Sequence, residues 1–212
     1  FPKSKLAAEA LLRAGKLYED DGAHDQAAAA YRRVVGEYRD SGLVDKALYR
    51  LASMQYHDND FAAAAATFGE LAASYPKSEL AEESAFWAAD SLERAGKAAQ
   101  AAAAYTQFTS NHPNGEFTGR AWLGLGRCRA TEKDYAGAAA ALRKAVPLLK
   151  GVAAAEAQFR LAECLGQQNQ VNDALLEFER VTILYAHEPW ASEAQFQICL
   201  LYTSDAADEE DS

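Results

Sequence analysis

Residues with a branched β carbon are scarce in this sequence of 212 residues, which has two isoleucines, seven valines and seven threonines. A chain that is 50% hydrophobic and has so few of these residues is not typical of a β-sheet fold. Alanine takes their place, with 48 copies, and alanine favours helices that pack closely. The composition therefore predicts an all-α protein.

Long apolar runs, a cysteine framework and excess positive charge are missing as well. No run reaches the roughly 18 apolar residues of a membrane span, and three cysteines rule out a disulfide framework. The formal net charge of −10 disfavours nucleic acid and anionic membrane surfaces as partners. Without residues 199–212 the charge is −5, and the case against nucleic acid then rests on the expected absence of a basic patch.

An internal repeat runs through the chain. Alanine followed four residues later by an aromatic residue or leucine recurs at steps of 37, 37, 37 and 36 residues. These pairs are Ala27/Tyr31, Ala64/Phe68, Ala101/Tyr105, Ala138/Leu142 and Ala174/Phe178. Two further series keep the same register, namely Leu12, Tyr49, Phe86, Leu123, Phe159 and Phe196, and Gly15, Ala52, Ala89, Gly126 and Ala162.

Each repeat is predicted to contain two helices. In the second repeat, apolar residues at helical spacing predict a first helix over 44–57 and a second over 61–75. Pro147 falls inside the expected second helix of the fourth repeat and predicts a kink or an early end there. One residue between the two helices interrupts the helical pattern in each repeat. It is Gly22, Asn59, Gly96, Lys133 and Asn169 in successive repeats. Glycine and asparagine tolerate the left-handed conformation that ends a helix, and lysine is the exception.

These units resemble the tetratricopeptide repeat family. Its helix A pattern is present as Trp122-Leu123-Gly124-Leu125-Gly126, and its helix B pattern as Ala64, Phe68 and Pro76. The resemblance implies an all-α fold, a right-handed α-solenoid of antiparallel helix pairs. The expected repeats span about 5–41, 42–78, 79–115, 116–151 and 152–188, with a half repeat at 189–198.

The length of the unit suggests a subgroup. At 37 residues it is similar to the repeats of bacterial cell-envelope proteins, such as the periplasmic partner of the Tol–Pal system and the outer-membrane-protein assembly lipoprotein. The phrase Tyr75-Pro76-Lys77-Ser78-Glu79-Leu80-Ala81 is typical of those repeats. This resemblance implies a location in the bacterial periplasm or at the outer membrane, with the cytoplasm as the alternative.

Both ends of the sequence depart from the repeat pattern. Phe1-Pro2-Lys3-Ser4 copies Tyr75-Pro76-Lys77-Ser78, and we expect it to be the tail of an earlier repeat. At the other end, Cys199–Glu209 resembles the translation of a common sequencing-library adapter. Residues 199–212 are therefore interpreted as an artefactual tail, and the alternative is an acidic helix cap or a disordered segment.

An array cut at both ends would expose apolar surface that a further repeat normally covers. We expect such edges at Leu6 and Leu11 and at Trp190 and Phe196. They predict association between copies or fraying of the terminal helices.

Little in the sequence suggests catalysis. Gly124-Leu125-Gly126 begins like a phosphate-binding loop, but Arg129 replaces the third glycine and no strand precedes it. Gly126 is better explained as a close-packing position of helix A. The four histidines lie far apart without metal-ligand spacing. We therefore expect no enzymatic activity, no cofactor and no metal site.

Two cysteines, Cys128 and Cys164, occupy the same repeat position. Equivalent positions on stacked helices lie about 8–10 Å apart, whereas a disulfide needs Cα atoms within about 7 Å. We predict two reduced, buried thiols.

Surface recognition is the remaining chemistry. The resemblance implies that helix A lines a concave face, and aromatic rings among mixed charges suit an extended peptide or a partner helix. Arg120 and Arg127 project from one helix and are placed to hold a partner carboxylate. The predicted partner-binding residues are Tyr49, Ser53, Tyr56, Phe86, Asp90, Arg120, Arg127, Phe159 and Glu163. The alternative is that the aromatic residues form a core between repeats and the charges a solvated face.

The leading functional hypothesis is a protein–protein interaction scaffold in a bacterial envelope complex, binding a peptide or helix of a partner protein. The alternative is a regulatory arm of a larger enzyme or signalling protein whose catalytic domain lies elsewhere. Enzymatic activity within these residues is the third and weakest hypothesis.

Overall fold

Helices make up nearly all of the computed structural model, which describes the backbone of residues 4–210 and the side chains of residues 4–203. No strand occurs in these ranges. Residues 1–3, which carry most of the predicted remnant of an earlier repeat, and residues 211 and 212 of the tail lie outside the described residues. The α-helices are α1 (Lys5–Asp20), α2 (His24–Glu37), α3 (Val44–His57), α4 (Phe61–Ser74), α5 (Ala81–Arg94), α6 (Ala98–Asn111), α7 (Thr118–Thr131), α8 (Tyr135–Ala145), α9 (Gly151–Gly166), α10 (Val171–Leu184) and α11 (Pro189–Glu210).

Two compact units divide the chain, an N-terminal unit of Phe1–Lys97 and a C-terminal unit of Ala98–Ser212. Within each unit, every helix packs on the next one along the chain. Alanines fill the narrow spaces between neighbouring helices, and a large side chain of each helix B, such as Tyr31 or Phe178, fills the wider ones. The predicted all-α fold of helix pairs is what the structure shows, and the predicted helices at 44–57 and 61–75 agree with α3 and α4.

The turn from helix A to helix B has the same backbone form in all five repeats. Its central residues have positive φ angles, 71° at Gly22, 63° at Asn59, 74° at Gly96, 61° at Lys133 and 60° at Asn169. The predicted left-handed position is therefore confirmed at the glycines and asparagines, and Lys133, the exception in the sequence pattern, adopts the same conformation. Glycine adopts this conformation without strain, whereas lysine does so at a cost of about 1–2 kcal/mol.

Two glycines of helix A allow close approach of a neighbouring helix. A β carbon on Gly126 would lie 2.6 Å from Cγ of Leu142, and one on Gly124 would lie 2.4 Å from Cζ of Tyr105. Both distances are too short for nonbonded carbon atoms. The interpretation of Gly126 as a close-packing position, rather than part of a phosphate-binding loop, is confirmed.

Pro147 ends a helix early, as predicted. Helix α8 stops at Ala145 and passes into a 3-10 helix at Val146–Leu148, because proline lacks the N–H that would continue the helical hydrogen bonds.

The predicted apolar edges are only partly exposed. Leu6 and Phe196 are 76% and 56% exposed. Leu11 and Trp190, in contrast, are partly buried and pack against the cores of their units, Trp190 with its ring 4.9 Å from that of Phe159. The expectation of exposed edges is thus corrected at these two positions, because helices of the last described repeats already cover them.

Helix α11 runs without a break from Pro189 to Glu210 and passes the predicted boundary between repeat and tail at residue 198. Ile198 is buried on it, and Cys199 is exposed. The origin of residues 199–212 stays a prediction.

Candidate functional site

One face of α3 carries a continuous stripe of side chains in the N-terminal unit. The stripe consists of Lys46, Tyr49, Arg50, Ser53, Tyr56 and His57. These positions are three or four residues apart, so they project from the same side of the helix. The opposite side of α3 is apolar, with Leu48, Leu51 and Ala52 buried. Because that side packs inward, the stripe faces the surface.

A basic pocket lies at the N-terminal end of this stripe. It has a volume of about 410 Å³ and lies among α1, α2, α3 and the residue before α5. Its lining consists of Leu12, Arg13, Lys16, Tyr31, Lys46, Tyr49, Arg50 and Leu80. We call it the basic pocket, because four of its eight lining side chains are cationic.

None of the four cations is neutralised inside the protein. Arg13, Lys16, Lys46 and Arg50 are exposed, and within the described part of the chain none forms an ion pair with an acidic side chain. The expected absence of a basic patch is therefore wrong for this unit. The net charge of −10 concealed the patch, because net charge carries no information on where charges cluster.

The two phenols of the basic pocket point their hydroxyls at carboxylates outside it. Tyr31 donates to Oε2 of Glu19 at 2.5 Å, and Tyr49 donates to Oε1 of Glu83 at 2.7 Å. Burial raises the pKa of Tyr49 to about 12, with Glu83 adding to the rise, and burial and Glu19 likewise raise the pKa of Tyr31. Both phenols therefore stay protonated donors at neutral pH. The partly exposed ring of Tyr49 forms an apolar wall of the pocket, and the fully buried ring of Tyr31 lies behind that wall.

An aromatic pocket of about 130 Å³ lies at the C-terminal end of the same stripe. It is lined by Tyr49, Ser53, Tyr56, His57, Phe68 and Trp87. The ring of Tyr56 meets that of Trp87 edge-on, with centroids 5.3 Å apart, and Tyr49 meets Phe68 in the same way at 5.7 Å. Such edge-to-face pairs hold rings in fixed positions, so the aromatic pocket is rigid.

Tyr49 lines both the basic pocket and the aromatic pocket. The two pockets therefore adjoin on one surface, which we call the α3 surface. A segment that lies along α3 would contact cations at one end and aromatic rings at the other.

Three of the predicted site residues, Tyr49, Ser53 and Tyr56, lie on the α3 surface. Phe86 and Asp90 do not. Phe86 is 4% exposed, which agrees with the alternative that the aromatic series forms a core between repeats. Asp90 is 8% exposed and accepts hydrogen bonds from the Tyr56 hydroxyl at 2.6 Å and from Nε of Arg94 at 2.8 Å. Its role is to fix the ring of Tyr56.

The predicted site residues of the C-terminal unit form a different arrangement. Arg127 lies 3.5 Å from Oε1 of Glu156, and Nε of Arg160 lies 2.7 Å from the same atom. Arg120 is exposed on α7. Because Arg127 already contacts Glu156, the predicted grip of Arg120 and Arg127 on one partner carboxylate has no support in this geometry.

Phe159 and Glu163 lie on α9. Phe159 is 3% exposed and packs on Phe178 and Trp190, again as the core alternative requires. Glu163 lies at a small pocket of about 190 Å³ beside Arg160. Partial burial raises the pKa of the Glu163 carboxyl, an effect that the charge of Arg160 opposes.

Arg13 and Arg50 are surface residues that the sequence analysis missed. They occupy the same repeat position, 37 residues apart, so a search for charged residues in repeat register would have found them. Leu12 and Tyr49, which were recognised as one series, are their immediate neighbours in sequence.

The cysteines agree with their predicted role. Cys128 and Cys164 are buried and are not joined in a disulfide, and burial raises the pKa of Cys164 to about 11. A buried thiol with a raised pKa is a poor nucleophile. Among the residues that the structure describes, no group of three or more His, Cys, Asp or Glu side chains is placed to hold a metal ion.

Two family models identify the repeats, and both are described as tetratricopeptide repeat. One matches residues 9–41, 46–78 and 156–187, and the other matches residues 88–153. Together they cover most of the chain. The chain therefore belongs to the tetratricopeptide repeat family.

Solved structures share this fold. The apo form of RapI has a TM-score of 0.76 and 14% identity and covers 93% of this chain, which spans 59% of RapI. A tetratricopeptide repeat protein from Parabacteroides merdae ATCC 43184 has a TM-score of 0.73 and 14% identity, and the match covers 97% of this chain and 77% of that one. MamA has a TM-score of 0.70 and 14% identity, and the match covers 83% and 90% of the two chains. The predicted class, an all-α solenoid of tetratricopeptide helix pairs, is confirmed.

A comparison with curated proteins found no match. None of the helices in residues 4–210 is long and apolar enough to cross a membrane.

Proposed function

We propose that this protein is a protein–protein interaction scaffold that binds a segment of a partner protein along the α3 surface. The observation that carries the proposal is the pair of adjoining pockets that share Tyr49. Specific recognition needs rigid aromatic contact area together with polar groups that fix orientation, and the α3 surface offers both.

The family supports this proposal, since tetratricopeptide arrays act as binding surfaces rather than as catalysts. One solved structure of this fold is the Rap conjugation gene regulator of plasmid pLS20 in complex with the Phr* peptide, which has a TM-score of 0.51 and 14% identity to this chain. A fold of this type can therefore hold a peptide. We propose that the chain described here has no catalytic activity of its own.

The experiment that tests the proposal is selection of peptides from a phage-displayed random library on the intact chain. Selected peptides are expected to bind the wild-type protein and to lose at least tenfold in affinity on Ser53→Arg, which places a long side chain between the two pockets. Glu70→Arg, on the exposed side of α4, is the matched control and should leave binding unchanged. Equal affinity for wild type and Ser53→Arg would contradict the proposal.

Site-specific crosslinking checks the same point without depending on the fold of Ser53→Arg. Benzoylphenylalanine is placed at His57, which is exposed at the rim of the aromatic pocket, or at Glu70 as the control. Adducts with a selected peptide should form from position 57 and not from position 70.

We further propose that the scaffold works in a bacterial envelope complex. The support is the 37-residue unit and the phrase from Tyr75 to Ala81. Fractionation of cells that express the full gene with a tag tests this proposal, and recovery in the cytoplasm would contradict it.

A second candidate function is a regulatory arm of a larger protein. Its support is the comparison with RapI, of which this chain spans 59%. A catalytic domain encoded next to this segment in the same gene would favour the arm, and a secretion or lipoprotein signal would favour the envelope scaffold.

A further inference from the structure

The four cations of the basic pocket stand out because they cluster in one place. Some arginines elsewhere contact carboxylates, as Arg33 contacts Glu37 at 3.1 Å and Arg180 contacts Glu177 at 2.6 Å. Others, such as Arg120, are exposed without an ion pair in the described residues, but four cations line this one pocket. The chain has 31 acidic residues against 21 basic ones, so acidic partners are abundant. A cluster of cations that has no acidic partner within the protein attracts an external anion more strongly than cations that are already neutralised.

Local carboxylates do not neutralise the cluster. Glu9 lies one helical turn before Arg13, yet no ion pair joins the two side chains in the structure. Glu19 and Glu83 accept hydrogen bonds from the phenols of Tyr31 and Tyr49 and do not line the pocket. The residue one turn before Arg50 is Lys46, which adds to the positive charge instead of balancing it.

The apolar part of the lining shows that the pocket suits more than a bare ion. Leu12 and Leu80 are partly exposed among the cations, so the methylene stem of an acidic side chain would meet apolar surface while its carboxylate meets the cations. The pocket volume of about 410 Å³ has room for one or two such side chains with their backbone.

The aromatic pocket lies at a defined distance from the basic one. On α3, the residues of the two pockets are centred about five positions apart, which at the helical rise of 1.5 Å corresponds to about 8 Å. An extended chain advances about 3.3 Å per residue. Two or three residues of extended chain therefore connect the two pockets.

We propose that the occupant of the α3 surface is an extended acidic segment of a partner protein, with its acidic side chains in the basic pocket and an aromatic side chain two or three residues away in the aromatic pocket. This inference rests on the proposed function and adds the chemistry of the partner. The carboxylates are side chains within the segment, so no free C-terminus is needed.

A dye-labelled probe peptide and two matched twins test the inference in fluorescence polarisation with the intact chain. The probe is a ten-residue peptide, blocked at both ends, with two adjacent glutamates, one glycine and then a tryptophan in a glycine and serine background. One twin has glutamines in place of the glutamates, and the other has alanine in place of the tryptophan. The probe is expected to bind at least tenfold more tightly than the glutamine twin and at least fivefold more tightly than the alanine twin.

Salt and charge reversal test where the acidic side chains bind. Affinity for the probe should fall steeply between low and high NaCl concentration, because salt screens exposed charges. Lys46→Glu and Arg50→Glu should each weaken binding at least tenfold, and circular dichroism should show an unchanged fold, since both side chains are exposed. Arg120→Glu, at an exposed arginine of the C-terminal unit, is the matched control and should change affinity less than twofold.

The outcomes separate this inference from the proposed function. If phage-selected peptides bind the α3 surface but the glutamine twin binds as well as the probe, the inference of an acidic segment is wrong. The proposed function as an interaction scaffold is then retained. If inorganic phosphate or a single-stranded oligonucleotide displaces the probe more effectively than the unlabelled peptide does, the occupant is another anion and the inference is overturned. Dimerisation that removes probe binding would assign the surface to a second copy of this chain and overturn it as well.

Discussion

The helix A surfaces of the N-terminal and C-terminal units differ in how they treat positive charge. Arg50 on α3 and Arg160 on α9 occupy equivalent repeat positions, but the residue one turn earlier is Lys46 in the first case and Glu156 in the second. Glu156 therefore holds Arg160 at 2.7 Å and Arg127 at 3.5 Å, whereas Lys46 leaves Arg50 exposed beside a pocket.

This difference teaches that repeat position alone does not decide function. The same scaffold position is structural where its charge is balanced by a residue of the same chain, and available for recognition where it is not. The sign of the charge one turn earlier is not the sole determinant, because Glu9 occupies that position before Arg13 and no ion pair joins the two side chains.

The largest expected effect concerns the feature that the two units share, which is their aromatic core. Phe86→Ala and Phe159→Ala should each lower the free energy of unfolding by about 3–5 kcal/mol, because both side chains are almost fully buried. Equilibrium urea denaturation followed by circular dichroism measures the change. Phe196→Ala, at a ring that is 56% exposed, should change it by less than about 0.5 kcal/mol.

A loss below about 1 kcal/mol for Phe86→Ala would contradict the placement of this ring in the core, and the units would then differ in their aromatic residues as well as in their charges. Where alanine prevents folding, Phe86→Leu provides a milder variant, with an expected loss below about 1.5 kcal/mol.

Alkaline pH should act on the phenols of the N-terminal unit. Burial and Glu83 raise the pKa of Tyr49 to about 12 in the folded state, from an ordinary value of 10.0. The unfolded chain therefore loses this proton first, so the stabilisation is fully present below pH 10 and is lost as the pH rises towards 12. One phenol of this kind contributes a slope of up to about 1.4 kcal/mol per pH unit.

Urea denaturation at pH 9, 10 and 11 measures this slope. Tyr49→Phe should show a shallower decline than the wild type, although some decline remains because burial also raises the pKa of Tyr31 and Tyr56. Identical slopes in the two proteins would show that Tyr49 is not the phenol that responds.

Glycine substitutions should separate the units by their effect on binding. A β carbon on Gly15 would lie 2.5 Å from the ring of Tyr31 in the N-terminal unit, and one on Gly124 would lie 2.4 Å from that of Tyr105 in the C-terminal unit. Gly15→Ala and Gly124→Ala should each cost about 1–2 kcal/mol, since overpacking outweighs the gain in helix propensity.

Gly15→Ala should also weaken binding of the acidic probe, because Tyr31 lines the basic pocket, whereas Gly124→Ala should not. Gly69→Ala, where the added carbon meets open space, should raise stability by up to about 1 kcal/mol. Denaturation and probe titration of the same samples measure both quantities. An equal loss of binding in Gly15→Ala and Gly124→Ala would remove the distinction between the units.

The smallest expected effect is at the balanced charges. Glu156→Gln should lower the free energy of unfolding by about 0.5–1 kcal/mol, because its two arginine partners are partly exposed. The difference from the wild type should shrink in 1 M NaCl. Glu116→Gln, at an exposed residue before α7, is the control, and a loss as large as that of Glu156→Gln would show that Glu156 has no special role.

The helices could be predicted from the sequence because the residues that form and end them recur in the 37-residue repeat. The bounds of α3 agree with prediction at both ends, and the left-handed turn was found at every repeat, including Lys133. Three site residues, Tyr49, Ser53 and Tyr56, were also placed on the surface that carries the two pockets.

Burial within one aromatic series was not predictable. Tyr49 and Phe86 occupy the same repeat position, yet only Phe86 is almost fully buried. The hydroxyl of Tyr49 donates to Glu83, but a hydroxyl with a glutamate partner does not by itself keep a ring at the surface, since Tyr31 donates to Glu19 and is fully buried. The basic pocket was missed because its cations come from two helices, α1 and α3, which only the three-dimensional arrangement brings together.

The left-handed turns have a consequence for how such a chain can grow. Helix A always passes to helix B through one residue with φ between 60° and 74°, whereas the connections from helix B to the next helix A vary and include the 3-10 helices Arg39–Ser41 and Val146–Leu148. Gene duplication that joins copies at these variable connections leaves every hairpin intact. Each helix hairpin, held by its tight turn, is therefore duplicated as a whole. The charge of a surface residue such as Lys46 can then change in a new copy without loss of the fold.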